Sequence, residues 1–79
     1  MSNNEKYLNV FVEILDITEE EAAGLTYQEV ESWDSVGHMS LVSALEETFD
    51  ITMAMKDIID FNSFEQGKEI LASNYRIEF

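Results

Sequence analysis

The chain has no cysteine, no proline and few basic residues. Without cysteine it forms no disulfide and has no thiolate of its own for catalysis or metal binding. With no proline, no low-complexity tract and no internal repeat, nothing divides its 79 residues, so we expect one domain spanning 1–79. The chain has four Lys and Arg residues and 17 Asp and Glu residues, which give a formal net charge of −13. Such a charge repels nucleic acid and anionic membranes and attracts proteins with basic patches.

Long hydrophobic runs are also missing. The first residues, Met1–Lys6, lack the apolar core of a signal peptide, and no segment approaches the length of a transmembrane helix. Hydrophobic residues nevertheless make up 46% of the chain, which is enough for one compact core. We therefore expect a cytoplasmic, monomeric protein that contacts neither nucleic acid nor membrane.

The most informative stretch begins at Trp33-Asp34-Ser35-Val36 and runs on to Phe49. Apolar residues recur in it at steps of three and four, which predicts a helix with one buried face: Val36, Met39, Val42, Leu45 and Phe49. Asp34 and Ser35 are both residues that cap helices, because a side-chain oxygen can accept hydrogen bonds from the free amides of the first turn. If Asp34 takes the cap, Ser35 opens the helix with its hydroxyl near the surface.

The sequence before this helix predicts one long helix and a long loop. Asn3 or Asn4 can cap a first helix to about Leu15, and the apolar spacing of its residues indicates a buried face. Thr18–Glu21 is a capping-box pattern that predicts a turn or two of helix within the loop, and 27–31 predicts a further helical turn.

The sequence after it predicts two more helices. Residues 54–60 form a short one, anchored by Ile58, Ile59 and Phe61. Ser63 opens a last helix that runs from Phe64 to about Asn74, where Gly67 indicates either close packing or a weak helix. The fold expected is all-α: an antiparallel bundle of three longer helices plus one short helix, with a long first loop.

The sequence contains no complete catalytic or metal-binding motif. Ser35 and His38 lie one helical turn apart, so a nucleophile–base pair is conceivable, but nothing supplies a third group or an oxyanion hole. The Asp60-x-Asn62 pattern lacks the later oxygen and glycine of a calcium loop. We expect no enzyme activity and no metal site.

The residues around Ser35 resemble the acyl carrier protein family. The match extends from about Tyr7 to Leu71, and Val36 stands where leucine is usual. The motif positions that agree are Asp34, Ser35, Leu41, Val42, Leu45, Glu46 and Phe49. The resemblance implies an acyl-carrier-like fold in which Ser35 carries phosphopantetheine, taken from coenzyme A, whose thiol holds acyl groups as thioesters. It also implies that Asp34 helps a phosphopantetheinyl transferase to recognise the serine.

The resemblance further implies surfaces for partners and cargo. Acyl-loading and acyl-transfer enzymes with basic patches would dock on the central helix, at Trp33, Val36, His38, Met39, Glu46 and Glu47. We expect His38 at the surface, whereas Trp33 either packs under the first loop or serves as an aromatic anchor. The acyl cavity would be lined by Leu45, Met53, Ile58 and Phe61, together with Met39.

Several positions depart from the usual fatty-acid pattern. Ser40 and Gly37 stand where acidic residues are common, Trp33 stands where a small residue is common, and Ile58 and Phe61 are bulkier than usual. These departures predict a stand-alone carrier for a short or polar acyl group in a specialised pathway, such as a polyketide-type one. The alternative is an unmodified acidic helical module that only binds a basic partner.

Overall fold

A computed structural model describes all 79 residues and contains five α-helices and no β-strand. The helices are α1 (Asn3–Leu15), α2 (Glu19–Ala22), α3 (Ser35–Phe49), α4 (Met55–Asp60) and α5 (Phe64–Tyr75). The all-α expectation is confirmed, with two short helices instead of one because the Thr18 capping box forms a helix of its own. None of the five helices is long and apolar enough to span a bilayer.

The N-cap of α1 lies one residue before the first of the two predicted caps. Ser2 is its N-cap, and its hydroxyl accepts a hydrogen bond from the Glu5 amide while the Glu5 carboxylate accepts one from the Ser2 amide. These bonds with Ser2 lower the pKa of Glu5. The prediction of Asn3 or Asn4 as the cap was wrong, because only Ser2 has a glutamate three residues later to complete the box.

The core is built around aromatic rings from several elements. Tyr7 and Phe11 of α1 pack against Phe64 of α5, each with a ring-centroid distance of 4.9 Å. The Tyr7 hydroxyl donates to the Phe64 carbonyl at 2.6 Å, and burial raises the pKa of Tyr7. Gly67 is buried beside them, where a Cβ atom would overlap the Tyr7 hydroxyl and the Phe61 ring. Close packing therefore explains this glycine.

The long loop between α2 and α3 is tied to the short connection between α4 and α5. Thr26 and Ser63 form an isolated antiparallel bridge. On either side of it, the Tyr27 amide donates to the Asn62 carbonyl and the Phe64 amide donates to the Leu25 carbonyl, both at 2.8 Å. The helical turn predicted over 27–31 is absent, since this segment forms turns instead.

Helix α4 is anchored by polar contacts at its buried side. Asp57 is 7% exposed, and its carboxylate accepts hydrogen bonds from the Tyr75 hydroxyl at 2.7 Å and from the Asn74 amide at 2.8 Å. The Tyr75 hydroxyl in turn accepts from the Ala54 amide at 2.7 Å. The prediction that Ile59 anchors α4 was wrong, because that side chain is 71% exposed.

Candidate functional site

The start of α3 presents Ser35 at the surface. Asp34 is the N-cap: its backbone is extended, and its Oδ1 atom accepts a hydrogen bond from the Gly37 amide at 2.8 Å. Ser35 is the first residue of the helix, and its side chain is exposed. The cap predicted at Asp34 is confirmed, and it holds Ser35 at a defined point on a rigid element.

An open groove of about 670 Å³ begins at Ser35 and follows one face of α3. Its lining is half apolar and half polar, with Glu47 as the one ionisable side chain. The lining residues are Ile14, Ser35, Val36, Met39, Ser40, Ser43, Ala44 and Glu47.

The predicted buried face of α3 is confirmed only in part. Val42 and Leu45 are at most 1% exposed, as predicted, and Phe49 is half-buried. Val36 and Met39, however, are 75% and 49% exposed, and Leu41 enters the core in their place. The predicted and the observed face both have helical spacing, and periodicity alone does not tell which edge of the face meets the rest of the protein.

The acidic residues at the end of α3 have different roles. Glu46 is half-buried, and its carboxylate accepts a hydrogen bond from the Met53 amide at 2.8 Å, so it holds the turn between α3 and α4. Glu47 is exposed, as is Asp50, which ends the helix in the left-handed conformation. One oxygen of the Glu46 carboxylate, Oε2, is therefore engaged within the fold, and the docking role of Glu46 stays a prediction.

Trp33 belongs to the core. Its side chain is 0% exposed and makes edge-to-face contacts with Phe11, Tyr27 and Phe61 at centroid distances of 5.4–6.0 Å. Of the two alternatives raised by the sequence, packing under the first loop is therefore correct. The role of aromatic anchor for a partner was wrong, because no part of the ring reaches the surface.

His38 is a structural residue rather than a surface one. The Trp33 indole N–H donates to His38 Nδ1 at 3.0 Å, and His38 Nε2 lies 2.8 Å from the Ile58 carbonyl oxygen. The ring is half-buried, and both its nitrogens are used. It therefore has no free nitrogen for Ser35, and the conceivable Ser35–His38 pair does not form.

The predicted acyl-cavity residues are only partly brought together. Leu45 and Met53 are buried in the core cluster and line no cavity. Ile58 and Phe61 do line one, of about 220 Å³. Its other lining residues are Tyr27, His38, Ile59 and Asn62. Sequence reasoning missed Tyr27 and Asn62 here, because they meet only through the bridge between two distant loops.

No set of three or more His, Asp or Glu side chains is arranged to hold a metal ion. Comparison of the chain with protein-family models, curated proteins and solved structures finds no match. The assignment of function therefore rests on the geometry around Ser35 and on the sequence pattern that contains it.

Proposed function

We propose that the protein is an acyl carrier that holds phosphopantetheine on Ser35 and has no catalytic activity of its own. The observation that carries the proposal is the placement of Ser35. It is the exposed first residue of a long helix, it follows a residue that caps that helix, and it stands at one end of an open groove. A modifying enzyme can reach such a hydroxyl without unfolding any part of the protein.

The residues beside Ser35 fit a serine that is modified by another enzyme. His38 is the single histidine of the chain, and both its nitrogens are engaged elsewhere, so it is not available as a base to activate the hydroxyl. Asp34 uses Oδ1 for the cap, which leaves Oδ2 for a transferase and its magnesium ion. Attachment forms a bond between Ser35 Oγ and the phosphorus of phosphopantetheine, which makes a phosphodiester. It breaks the phosphoanhydride bond of coenzyme A, so that adenosine 3′,5′-bisphosphate and the hydroxyl proton leave. The thiol at the end of the attached group then carries the acyl chain.

The surface around Ser35 suits transient partners. Val36 and Met39 offer exposed apolar contacts, and Glu47 and Asp50 add negative charge further along the helix. With a net charge of −13, the chain attracts enzymes with basic patches from a distance, which speeds encounter more than it tightens binding. The partners we propose are a phosphopantetheinyl transferase and the enzymes that load and unload the acyl group.

The cargo we propose is a short or polar acyl group, as used in specialised biosynthesis. The cavity between the first loop, α3 and α4 measures only about 220 Å³ and has Asn62 among its walls. The groove at Ser35 carries serine hydroxyls at 40 and 43, with a single carboxylate. Both features provide hydrogen-bonding groups and little enclosed apolar space.

The decisive experiment is intact-mass spectrometry after incubation with coenzyme A and a phosphopantetheinyl transferase of broad specificity. We expect the wild-type protein to gain one phosphopantetheine. Ser35→Ala should gain none, whereas Ser40→Ala, which removes another hydroxyl from the same groove, should gain one as wild type does. A well-folded wild-type protein that several transferases leave unmodified would contradict the proposal and favour the unmodified interaction module.

The cargo is tested separately on the loaded protein. Acyl groups of increasing length are attached, and the rate of thioester hydrolysis is compared with that of the same acyl-pantetheine free in solution. We expect the carrier to slow thioester hydrolysis only for short or polar acyl groups. Thioesters of long alkyl chains should hydrolyse at nearly the same rate on the carrier as in free acyl-pantetheine. Strong protection of long chains would refute the proposed cargo while leaving the carrier role intact.

A further inference from the structure

The groove on α3 begins at the residue proposed to carry the prosthetic group. Its lining residues on α3 follow Ser35 at helical spacing, along one side of the helix, as far as Glu47. With a rise of 1.5 Å per residue, Ser35 and Glu47 lie about 18 Å apart along the helix axis. Ile14 of α1, which is 38% exposed, also lines the groove. A flexible chain attached at Ser35 therefore meets a surface channel that follows most of α3.

The lining of the groove combines apolar and uncharged polar groups. Val36 and Met39 are 75% and 49% exposed, and exposed apolar patches rimmed by polar residues are typical of binding sites. The Ser40 and Ser43 hydroxyls are exposed at the same groove, and a hydroxyl both donates and accepts hydrogen bonds. The chain has 17 acidic residues, yet only Glu47, at the far end, lines the groove. The groove thus fits an uncharged, extended molecule that carries both amides and apolar carbons.

The cavity of about 220 Å³ lies on a different side of α3. It shares no lining residue with the groove, and the residue of α3 that reaches it is His38. At 3.6 residues per turn, His38 and Ser43 are about 140° apart around the helix axis. Ser35 lines the groove but not the cavity, so a chain attached at Ser35 enters the groove first.

We propose that the phosphopantetheine attached to Ser35 folds back along α3 and lies in this groove, with the Ser40 and Ser43 hydroxyls as hydrogen-bond partners of its amides. This inference rests on the proposed carrier function and adds a binding site for the arm. Beyond its phosphate, the arm is an uncharged chain with two amides, one hydroxyl and a branched apolar carbon, which matches the lining. Because the arm is tethered at one end, its effective concentration at the groove is high, and weak contacts are enough to hold it.

The test compares NMR spectra of the protein before and after loading, with loading first verified by intact mass. Attachment by itself shifts the amide signals of the first turn of α3. We expect the shift changes to continue along the helix to Ser40 and Ser43. We also expect nuclear Overhauser contacts from the arm to the methyl groups of Met39 and Ala44, which line the groove.

Tyr27 and Asn62, which line the cavity, are the internal control in the same spectra, and their signals should stay unchanged. A loaded protein whose changes end within the first turn of α3, or appear at Tyr27 and Asn62, would overturn the groove site and leave the carrier function intact. Failure of loading is a separate result, visible in the mass spectrum, and would contradict the carrier function together with the groove site.

Ser43→Phe is the variant that blocks the groove, because its ring takes up space beside Ala44. Thr48→Phe is the matched control, since it adds the same ring at an exposed position of α3 outside the groove. After loading, the contacts between the arm and Ala44 should be lost in Ser43→Phe and kept in Thr48→Phe. Persistence of these contacts in Ser43→Phe would contradict the proposed site. The wild-type spectra decide the proposal even if Ser43→Phe folds poorly.

Discussion

Gly37, in the first turn of α3, lies directly against the backbone carbonyl of Ser32, with no room for a side chain between them. A Cβ atom at this position would overlap the Ser32 oxygen and lie 3.4 Å from Asp34 Oδ1. The glycine is needed for close approach, since its backbone is ordinary helix. This contact seats the loop that carries Trp33 and Asp34 on the helix that begins at Ser35. It also explains why no acidic side chain stands at position 37.

Replacement of Gly37 by alanine should therefore destabilise the protein. Alanine normally stabilises a helix interior by up to about 1 kcal/mol relative to glycine. Here the overlap with a backbone atom cannot be relieved by a side-chain rotation, and we expect a net loss of about 1–3 kcal/mol in the free energy of unfolding. Urea titration followed by Trp33 fluorescence measures it. Ser40→Ala, one turn further along and exposed, is the control and should be neutral or slightly stabilising. A stabilised Gly37→Ala would show that the loop does not sit against the helix as described.

Glu46 and Glu47 are neighbours in sequence, and their replacement should give different results. Glu46→Ala removes the acceptor for the Met53 amide, and we expect a loss of about 1–2 kcal/mol in unfolding free energy. Glu47→Ala removes an exposed carboxylate near the negative end of the helix dipole and should leave stability unchanged or slightly higher. In binding assays with a transferase, Glu47→Ala should weaken association without any loss of stability. Equal stability of the two variants would contradict the structural role of Glu46.

Asp50 should be replaceable by glycine with a gain in stability. It ends α3 in the left-handed conformation, at φ 54°, which glycine adopts at lower cost. Its carboxylate also stands at the negative end of the helix dipole. We expect Asp50→Gly to raise the free energy of unfolding by about 1 kcal/mol. Asp16 ends α1 in the same conformation, at φ 55°, so Asp16→Gly should also stabilise the protein. Thermal unfolding of both variants measures the gain. Destabilisation of both variants would rule out the left-handed caps.

Tyr7 should make the fold sensitive to alkali. Burial, and secondarily the charge of Glu65, raises the pKa of Tyr7 above the ordinary value of 10.0. Below about pH 10 the Tyr7 hydroxyl is protonated in the folded protein and in the unfolded chain. Above about pH 10 the unfolded chain releases this proton, whereas the folded protein retains it. The free energy of unfolding should thus fall as pH rises, by up to about 1.4 kcal/mol per pH unit from this residue.

The variant Tyr7→Phe isolates this contribution. It loses the hydrogen bond to the Phe64 carbonyl, so at pH 7 it should be less stable than wild type by about 1–2 kcal/mol. Above about pH 10 its stability should decline less steeply, and the two curves should converge. Urea titrations at matched pH values provide the comparison, and lysine deprotonation affects both proteins equally. Parallel curves would show that the Tyr7 hydroxyl is not buried in the fold.

Helices and their starting points were predictable because the signals are local. The pairs Thr18–Glu21 and Asp34–Gly37 interact over three residues, and so does Ser63 with Gln66, whatever the rest of the chain does. The exposed position of Ser35 follows from the cap that precedes it. The Ser2 cap was missed although its signal, Glu5 three residues later, is just as local, because the two asparagines that follow Ser2 are also common capping residues.

The errors concern residues whose partners lie far along the chain. His38 was predicted at the surface and Trp33 either under the first loop or at the surface as an anchor, yet the two side chains contact each other and groups from α1, α4 or the first loop. Val36 and Met39 were assigned to the core, although the stripe containing Leu41 is the one that other elements cover. The cavity residues Tyr27 and Asn62 lie 35 positions apart, and no periodic pattern relates them.

The amino-acid sequence by itself determined the helical class, the caps, the acidic charge and the exposed serine at the start of α3. These properties depend on hydrogen bonds and apolar spacing within a few residues, or on simple sums over the chain. Only the tertiary structure decided which stripe of α3 is buried, which carboxylate is engaged and how His38 is held. Those outcomes depend on which distant groups meet, because a polar side chain that enters the interior must find its partner there.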